Sequence, residues 1–315
     1  MCFGWLKQRL MKRRKFHPKG FSTEFHDNEW DFRFSHPFDV KVSNNMDHLV
    51  VSDDHTIKIF DLKTRLFITQ FIDLPSSFIS VEVGCKGDLD NDSLILSCDD
   101  QCVYKYDLKE LVEKSLGNNP VKYIWKNGDG NTGSEPNQYN IPQGSAVCYY
   151  SKYNTWFTKQ NDSSCNMIFV CDCINNRIKI LNSKDGQFID CIGNDITLLG
   201  PIALDFTLNN DLLVSEFDGN QINILGMDGG VVVSKRILPL QIVNPCGIIL
   251  DKATQNIILC TDKNKIVIIN AHSQAITREC KTEGDQTQML GLCIDEKNGQ
   301  LFVTNLQDDN LYIFQ

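Results

Sequence analysis

The feature that most constrains this 315-residue chain is a pattern that occurs six times along it. Each copy has a short apolar run, a polar or acidic turn and a second apolar run. A further short apolar run lies just before each copy. One interval between copies is about 30 residues longer than the others, which indicates an insertion. The second run of each copy ends at Asp61, Asp107, Asn182, Gly226, Asn270 and Gln315.

These runs are short, rich in Val, Ile, Phe and Tyr, and bounded by turn residues, which is typical of β-strands. Most copies are followed by a further strand-like run, so one copy supplies four strands, as one blade of a β-propeller does. A single blade cannot bury both of its faces, so the blades must pack side by side in a ring. We therefore predict an all-β, six-bladed β-propeller with four antiparallel strands per blade.

The predicted domain covers residues 20–315, after a basic amphipathic tail at 1–19 that we expect to be flexible. Segment 20–26 has strand character, and we expect it to form the outer strand of the last blade, because this would close the ring without an exposed edge. A helix is predicted at 108–116, inside an insertion that spans about 107–142. The predicted blades are 36–71, 77–126, 141–193, 199–238, 243–281 and 289–315 with 20–26.

Several segments resemble NHL repeats. Segment 128–147, GDGNTGSEPNQYNIPQGSAV, is similar to the junction between such repeats, with a Gly-rich turn, a Gln-aromatic pair, a proline and then the inner strand. Segments 36–42, 169–182 and 244–251 resemble other parts of the same unit, so the resemblance covers roughly 36–315. It implies a recognition propeller like the one in tripartite-motif ubiquitin ligases, without their RING and B-box.

An acid or amide recurs near the end of the second strand in every copy, and others follow in the adjoining turn. Turn formation is one explanation, because Asp and Asn accept backbone N–H bonds and shape tight turns. The same turns would lie on one face of the ring, so these residues are also candidates for a binding face. They are Asp53, Asp54, Asp99, Asp172, Asn175, Asn176, Glu216, Asp218, Asp262, Asn264, Asn305 and Asp308.

The formal net charge is −9, although residues 1–20 contain seven lysines and arginines and no acid. An acidic face repels phosphate, so we expect the ring to bind a protein or peptide rather than nucleic acid. The expected function is a non-catalytic interaction scaffold or adaptor in a monomeric, cytoplasmic protein. The resemblance implies a link to substrate recognition in ubiquitin ligation.

Two alternative functions stay open. Gluconolactonase-like propellers hold a divalent metal with Glu, Asp and Asn in the central channel, so a calcium-dependent hydrolase or lactonase is the first. An NHL propeller that binds single-stranded RNA is the second. The sequence contains no Gly-x-Ser-x-Gly elbow and no Walker loop, so we assign no catalytic residue, metal ligand or cofactor. Segment 88–93, DLDNDS, has the acid spacing of a calcium loop but carries Ser93 at the sixth position instead of glycine.

The tail and the cysteines bear on where the protein acts. Apolar residues alternate with cations in 1–19, which fits contact with an anionic membrane, a nuclear address or a solvated arm. The thirteen cysteines are an odd number, and no export signal precedes them, so we expect reduced thiols.

Overall fold

The protein is an all-β, six-bladed β-propeller, which confirms the predicted fold class. A computed structural model describes residues 25–27, 30–32, 34–72, 77–117, 119–149, 166–228, 231–281, 288–307 and 309–314. The predicted tail at 1–19 lies outside these residues.

The first three blades contain strands β3 to β14. Blade one has β3 (Pro37–Ser43), β4 (His48–Asp53), β5 (Thr56–Asp61) and β6 (Phe67–Ile72). Blade two has β7 (Ser77–Cys85), β8 (Asp88–Cys98), β9 (Cys102–Asp107) and β10 (Trp125–Asn127). Blade three has β11 (Pro142–Cys148), β12 (Met167–Asp172), β13 (Arg177–Asn182) and β14 (Phe188–Ile192).

The last three blades contain strands β15 to β25. Blade four has β15 (Pro201–Phe206), β16 (Leu212–Glu216), β17 (Gln221–Asp228) and β18 (Val231–Ile237). Blade five has β19 (Pro245–Asp251), β20 (Asn256–Thr261), β21 (Lys265–Asn270) and β22 (Ile276–Lys281). Blade six has β23 (Met289–Asp295), β24 (Gln300–Asn305) and β25 (Asn310–Phe314).

The strands of each sheet follow the chain order and pair antiparallel, and the first strand of each blade is the innermost. The inner strands contact one another around a complete circle, from β3 through β7, β11, β15, β19 and β23 back to β3. The ring is therefore closed by packing between blades six and one.

Ring closure differs from the prediction in one respect. Among the described residues, the sixth sheet has three strands, and β1 (Phe25–Asp27) pairs with β2 (Trp30–Phe32) in a separate hairpin. Phe25 and His26 therefore do not extend the last blade, and the rest of the predicted closing strand lies outside the described residues. A local hairpin costs less loop-closure entropy than pairing with a strand nearly 290 residues away, which favours this arrangement.

The core consists of six separate apolar clusters in the described part of the chain, one at each junction between neighbouring blades. At the junction of blades three and four, for example, Phe169 packs with Leu212 and Val214. Each blade thus buries its two faces against two different neighbours, which is the reason that the ring must close.

Helix α1 (Leu108–Leu116) lies where the sequence predicts it. Asp107 caps its N-terminus by accepting a hydrogen bond from the backbone N–H of Glu110 at 3.0 Å. Leu108 and Leu111 are buried against the first two blades. Within the described ranges, no helix has the length and apolar character needed to cross a membrane.

Candidate binding faces and central cavity

Four of the predicted binding residues occupy one equivalent position. Asp53, Asp172, Glu216 and Asn305 each end the second strand of a blade and pair with the first residue of its inner strand. Their side chains are almost completely buried, with at most 1% of each residue exposed. They cannot contact a partner at the surface.

These four side chains hold the segment through which the chain enters each blade. Each carboxylate or amide oxygen accepts hydrogen bonds from backbone N–H groups of that segment, as the turn interpretation predicts. The donors are Ser35 and His36 for Asp53 (2.8 Å each), Asn140 for Asp172 (2.7 Å), Leu199 for Glu216 (3.1 Å) and Gln288 for Asn305 (3.2 Å).

Asp99 and Asp262 do not share this position. In blades two and five the equivalent residues are Cys98 and Thr261, which pair with Ser77 and Pro245 at the start of the inner strands. Asp99 and Asp262 therefore directly follow the equivalent position, near the end of the second strand as the sequence analysis described them. Asp99 is exposed, whereas the Asp262 carboxylate accepts a hydrogen bond from the Asn244 side chain at 2.6 Å.

Polar side chains on the third strand form ion pairs or hydrogen bonds with the buried acids. Lys58 lies 2.5 Å from Asp53, and Arg177 lies 2.7 Å from Asp172. Glu216 instead accepts hydrogen bonds from the amides of Gln221 and Asn223, and burial raises the pKa of its carboxyl group. Paired or hydrogen-bonded charges of this kind stabilise the interior and do not act as free chemical groups.

Every blade has one non-glycine residue with a left-handed backbone in the turn between its second and third strands. Their φ angles lie between 51° and 62°. In five blades this residue directly precedes the third strand, and in blade one it lies one position earlier. Asp and Asn reach this conformation at lower cost than most residues, which explains their recurrence. The six are Asp54, Gln101, Asn176, Asn220, Asn264 and Asp309.

Three of these turn residues connect neighbouring blades. Each side-chain oxygen accepts a hydrogen bond of 2.7 to 2.8 Å from a backbone N–H in the segment that enters the next blade. The pairs are Gln101 with Ile141, Asn176 with Gly200 and Asn220 with Asn244. We call these contacts the inter-blade latches. The sequence prediction included Asn176 but not Gln101 or Asn220, although both directly precede a third strand.

The other predicted site residues have different surroundings. The Asn175 amide donates to the Asp172 carboxylate at 2.9 Å and to the backbone oxygen of Gly133 at 2.8 Å. Asp218 is exposed, and its carboxylate lies against Gly200, where a Cβ atom would be 2.6 Å from Asp218 Oδ2. Asp308 lies outside the described residues.

Blade three binds the linker at 133–138 through the carbonyl groups of the linker. Arg177 donates to the backbone oxygens of Ser134, Glu135 and Gln138 at 2.6 to 3.3 Å. The buried Lys179 ammonium donates to the Pro136 oxygen at 2.7 Å. Arg177, an obvious candidate to contact phosphate in the sequence, therefore has its guanidinium group occupied by the protein itself.

The side of the ring that carries these turns and the segments entering each blade is called the loop face. Its described loops contain one lysine, Lys263, which lies 3.7 Å from Asp262. Four exposed aliphatic side chains lie on blades three to five of this face: Ile141, Ile174, Leu199 and Val243. Seven exposed acids lie in the loops of this face at different positions around the ring: Asp54, Asp99, Asp129, Glu135, Asp195, Asp218 and Asp309.

The calcium-like run at 88–93 forms part of a β-hairpin. Asp88 and Asp90 are exposed, whereas Asp92 is completely buried. The Asp92 carboxylate accepts hydrogen bonds from Ser43 at 2.5 Å and from Asn45 at 2.8 Å. The described residues contain no group of three or more His, Cys, Asp or Glu arranged to hold a metal ion, at this run or elsewhere.

A cavity of about 250 Å³ lies on the ring axis, lined by the inner strands of all six blades. Toward the loop face the strands approach closely, and a Cβ atom on Gly291 would lie 2.5 Å from Asp39 Cα. The cavity opens at the opposite side, which we call the hairpin face because it carries the turns between first and second strands. Val83 and Tyr149 are exposed there, at 53% and 44%.

Comparison with known proteins adds no family name. No protein-family model matches the chain. No curated protein matches it either. The inference of function therefore depends on the fold and on the residues described above.

Proposed function

We propose that this protein is a non-catalytic interaction scaffold whose loop face binds a basic, partly apolar segment of a partner protein. The observation that carries the proposal is the composition of that face. Seven exposed acids and four exposed aliphatic side chains lie on this face, and Lys263 is the one lysine or arginine in its described loops. Such a surface complements a segment in which Lys or Arg alternates with large apolar residues.

The hydrogen bonds that the buried, recurring acids accept argue against the hydrolase alternative. A calcium site needs six to eight oxygen ligands that point at one centre. Asp53, Asp172 and Glu216 instead bond to backbone N–H groups of their own blades. These carboxylates are therefore occupied in holding the ring together.

The charges of the loop face argue against the RNA alternative. Single-stranded RNA binding requires a positively charged groove with aromatic stacking platforms. Arg177 is bonded to the linker, and Lys265 lies 3.6 Å from Glu279. The remaining charge of the loops is predominantly negative, which opposes the approach of phosphate.

The setting in which the scaffold acts is a further part of the proposal. The resemblance of residues 36–315 to NHL repeats supports a recognition or adaptor subunit linked to ubiquitin ligation. Ten described cysteines, Cys148 not included, form no disulfide bond, which is consistent with a reducing compartment such as the cytoplasm.

Selection of random peptides displayed on phage against the full chain tests the binding face. We expect enriched peptides to combine Lys or Arg with Leu, Ile or Phe, and to bind less tightly as salt increases. A variant with Asp99→Lys, Glu135→Lys and Asp195→Lys should bind them at least tenfold more weakly. These three acids are exposed and lie on the loop face.

A matched control reverses the same number of charges elsewhere. Asp90→Lys, Glu113→Lys and Asp190→Lys alter exposed acids on the hairpin face, on α1 and on an outer strand. This control should retain binding. Equal loss in both variants, or selection of peptides without cations, would contradict the proposal.

A further inference from the structure

The axial cavity on the hairpin face is a second site, separate from the loop face. Its volume of about 250 Å³ is several times the ~30 Å³ that one water molecule occupies in the liquid, so it has room for a small organic molecule. Much of its wall is apolar, with Val81, Val147, Ala203 and Ile249 on four different inner strands.

The charged groups in the wall leave an excess of negative charge. Four carboxylates and two ammonium groups line the cavity: Asp39, Asp92, Asp205 and Glu296 against Lys41 and Lys252. Lys41 is bonded to Asp39 at 2.6 Å and also donates to the backbone oxygens of Val40 and Leu292. Lys252 is exposed at the open end. The ammonium groups therefore do not neutralise the cavity.

Asp205 forms no ion pair in the described part of the chain, although the positive charges of Lys252 and Lys41 act on it from a greater distance. Its oxygens accept hydrogen bonds from the backbone N–H groups of Phe206 at 2.8 Å and Leu250 at 2.7 Å. No described Lys, Arg or His lies within 4.0 Å of it, and burial raises the pKa of its carboxyl group. Each carboxylate oxygen has a further lone pair that can accept a hydrogen bond.

An aromatic side chain lies beside the opening of the same cavity. The aromatic ring of Tyr149 borders the opening, and its hydroxyl accepts a hydrogen bond from the backbone N–H of Val83 at 3.0 Å. The groups that face the cavity thus offer acceptors and an aromatic face, both of which attract a cation.

We propose that this cavity binds the primary ammonium group of an organic cation, with Asp205 as the anionic partner and the apolar wall around the hydrocarbon part of the ligand. An ammonium group has three donors and suits a carboxylate whose oxygens can still accept hydrogen bonds. An organic cation fits better than a metal ion, since the described residues provide no cluster of metal ligands. The ligand is either a free alkylamine or the lysine side chain of a peptide.

Calorimetric titration of the full chain with n-butylammonium chloride tests this site. We expect one molecule to bind with a Kd of about 1 mM or tighter. Butanol and butyrate, which have the same chain length without the positive charge, should bind at least tenfold more weakly. Nα-acetyl-lysine amide distinguishes a free alkylamine ligand from a peptide lysine. It should bind as tightly as butylammonium only if the cavity opening accepts a peptide backbone.

Two variants locate the binding. Asp205→Asn should weaken butylammonium binding at least tenfold, and Asp190→Asn on an outer strand should not change it. Ile249→Lys places a competing ammonium group in the wall and should abolish binding while Asp205 remains in place. Circular dichroism establishes that each variant is folded. Absence of butylammonium binding to the wild type, or equal binding of butanol, would overturn the proposal, as would full affinity in folded Asp205→Asn or Ile249→Lys.

Discussion

The ammonium nitrogen of Lys179 lies 3.6 Å from the centre of the Tyr139 ring, in the interior of blade three. Lys179 is completely buried, and its positive charge faces the ring and the carbonyl oxygens of the linker. Burial lowers the pKa of Lys179 to about 8. The linker between blades two and three is thus bound by the desolvated ammonium group of Lys179.

Replacement of Lys179 by Met should alter how stability depends on pH. The folded-state pKa is about 8 and the usual value is 10.5, so between these values the unfolded chain holds more protons and the wild type gains stability as pH rises. We expect the wild type to gain about 2–3 kcal/mol relative to Lys179→Met between pH 7.5 and 10.5. Urea unfolding of both proteins across this pH range measures the free energy of unfolding. A difference in free energy between the two proteins that does not change with pH would contradict the prediction.

A side chain at Gly291 should weaken the junction that closes the ring. A Cβ atom there would lie 2.5 Å from Asp39 Cα, so the backbones of blades six and one would have to separate. We expect Gly291→Ala to reduce the free energy of unfolding by about 2–4 kcal/mol. Gly87→Ala is the control, because no atom lies within 4 Å of its added Cβ and the cost is about 1 kcal/mol from its positive φ. Chemical denaturation measures both variants. Equal losses of unfolding free energy in Gly291→Ala and Gly87→Ala would contradict the importance of the close contact between Gly291 and Asp39.

The inter-blade latches should contribute separately from the left-handed turns. Asn176→Gly keeps the backbone conformation and removes one hydrogen bond to Gly200, so it should cost about 1 kcal/mol. Asn176→Ala should cost about 1 kcal/mol more, because alanine is strained at this φ angle. Guanidinium unfolding measures the stability of both Asn176 variants. Asn209→Ala is the control, because Asn209 is an exposed loop residue. Identical stability of the glycine and alanine variants would contradict the argument.

Calcium should not stabilise the ring. The described residues contain no group of three acids arranged to hold a metal ion, and Asp92 is already bonded to Ser43 and Asn45. We expect the melting temperature in millimolar calcium to stay within about 1 °C of its value in chelator. That interval is less than the ~2–4 °C that 1 kcal/mol of binding energy produces in a chain of this size. A larger increase would revive the hydrolase alternative.

Several features could be predicted because they depend on neighbouring residues. Strand patterns such as 48–53 and 256–261 alternate with turns, and the repeat count follows from their spacing. Helix α1 was placed correctly because its apolar residues recur at helical intervals after an N-capping aspartate. The interpretation of Asp53 and Asp172 as turn-forming residues is likewise supported by their bonds to the backbone.

Asp99 and Asp262 show what the sequence pattern leaves undecided. Both follow a buried strand, as Asp53 does, but strand register places Cys98 and Thr261 opposite the inner strand. Turn length differs between blades, so counting from the turn does not identify the equivalent residue. The pairing partner on the inner strand identifies the equivalent residue, and that partner lies 21 residues before Cys98 and 16 residues before Thr261.

By itself the sequence determined that this chain has six repeated units of antiparallel strands and an acidic set of turns, because periodic burial and turn formation are local properties. The tertiary structure decided which acids are buried, that Arg177 and Lys179 bind the linker, and that Asp205 faces a cavity. These features join residues from different blades. Their contacts exist only after the ring closes and water is removed from the junctions, so no local pattern encodes them.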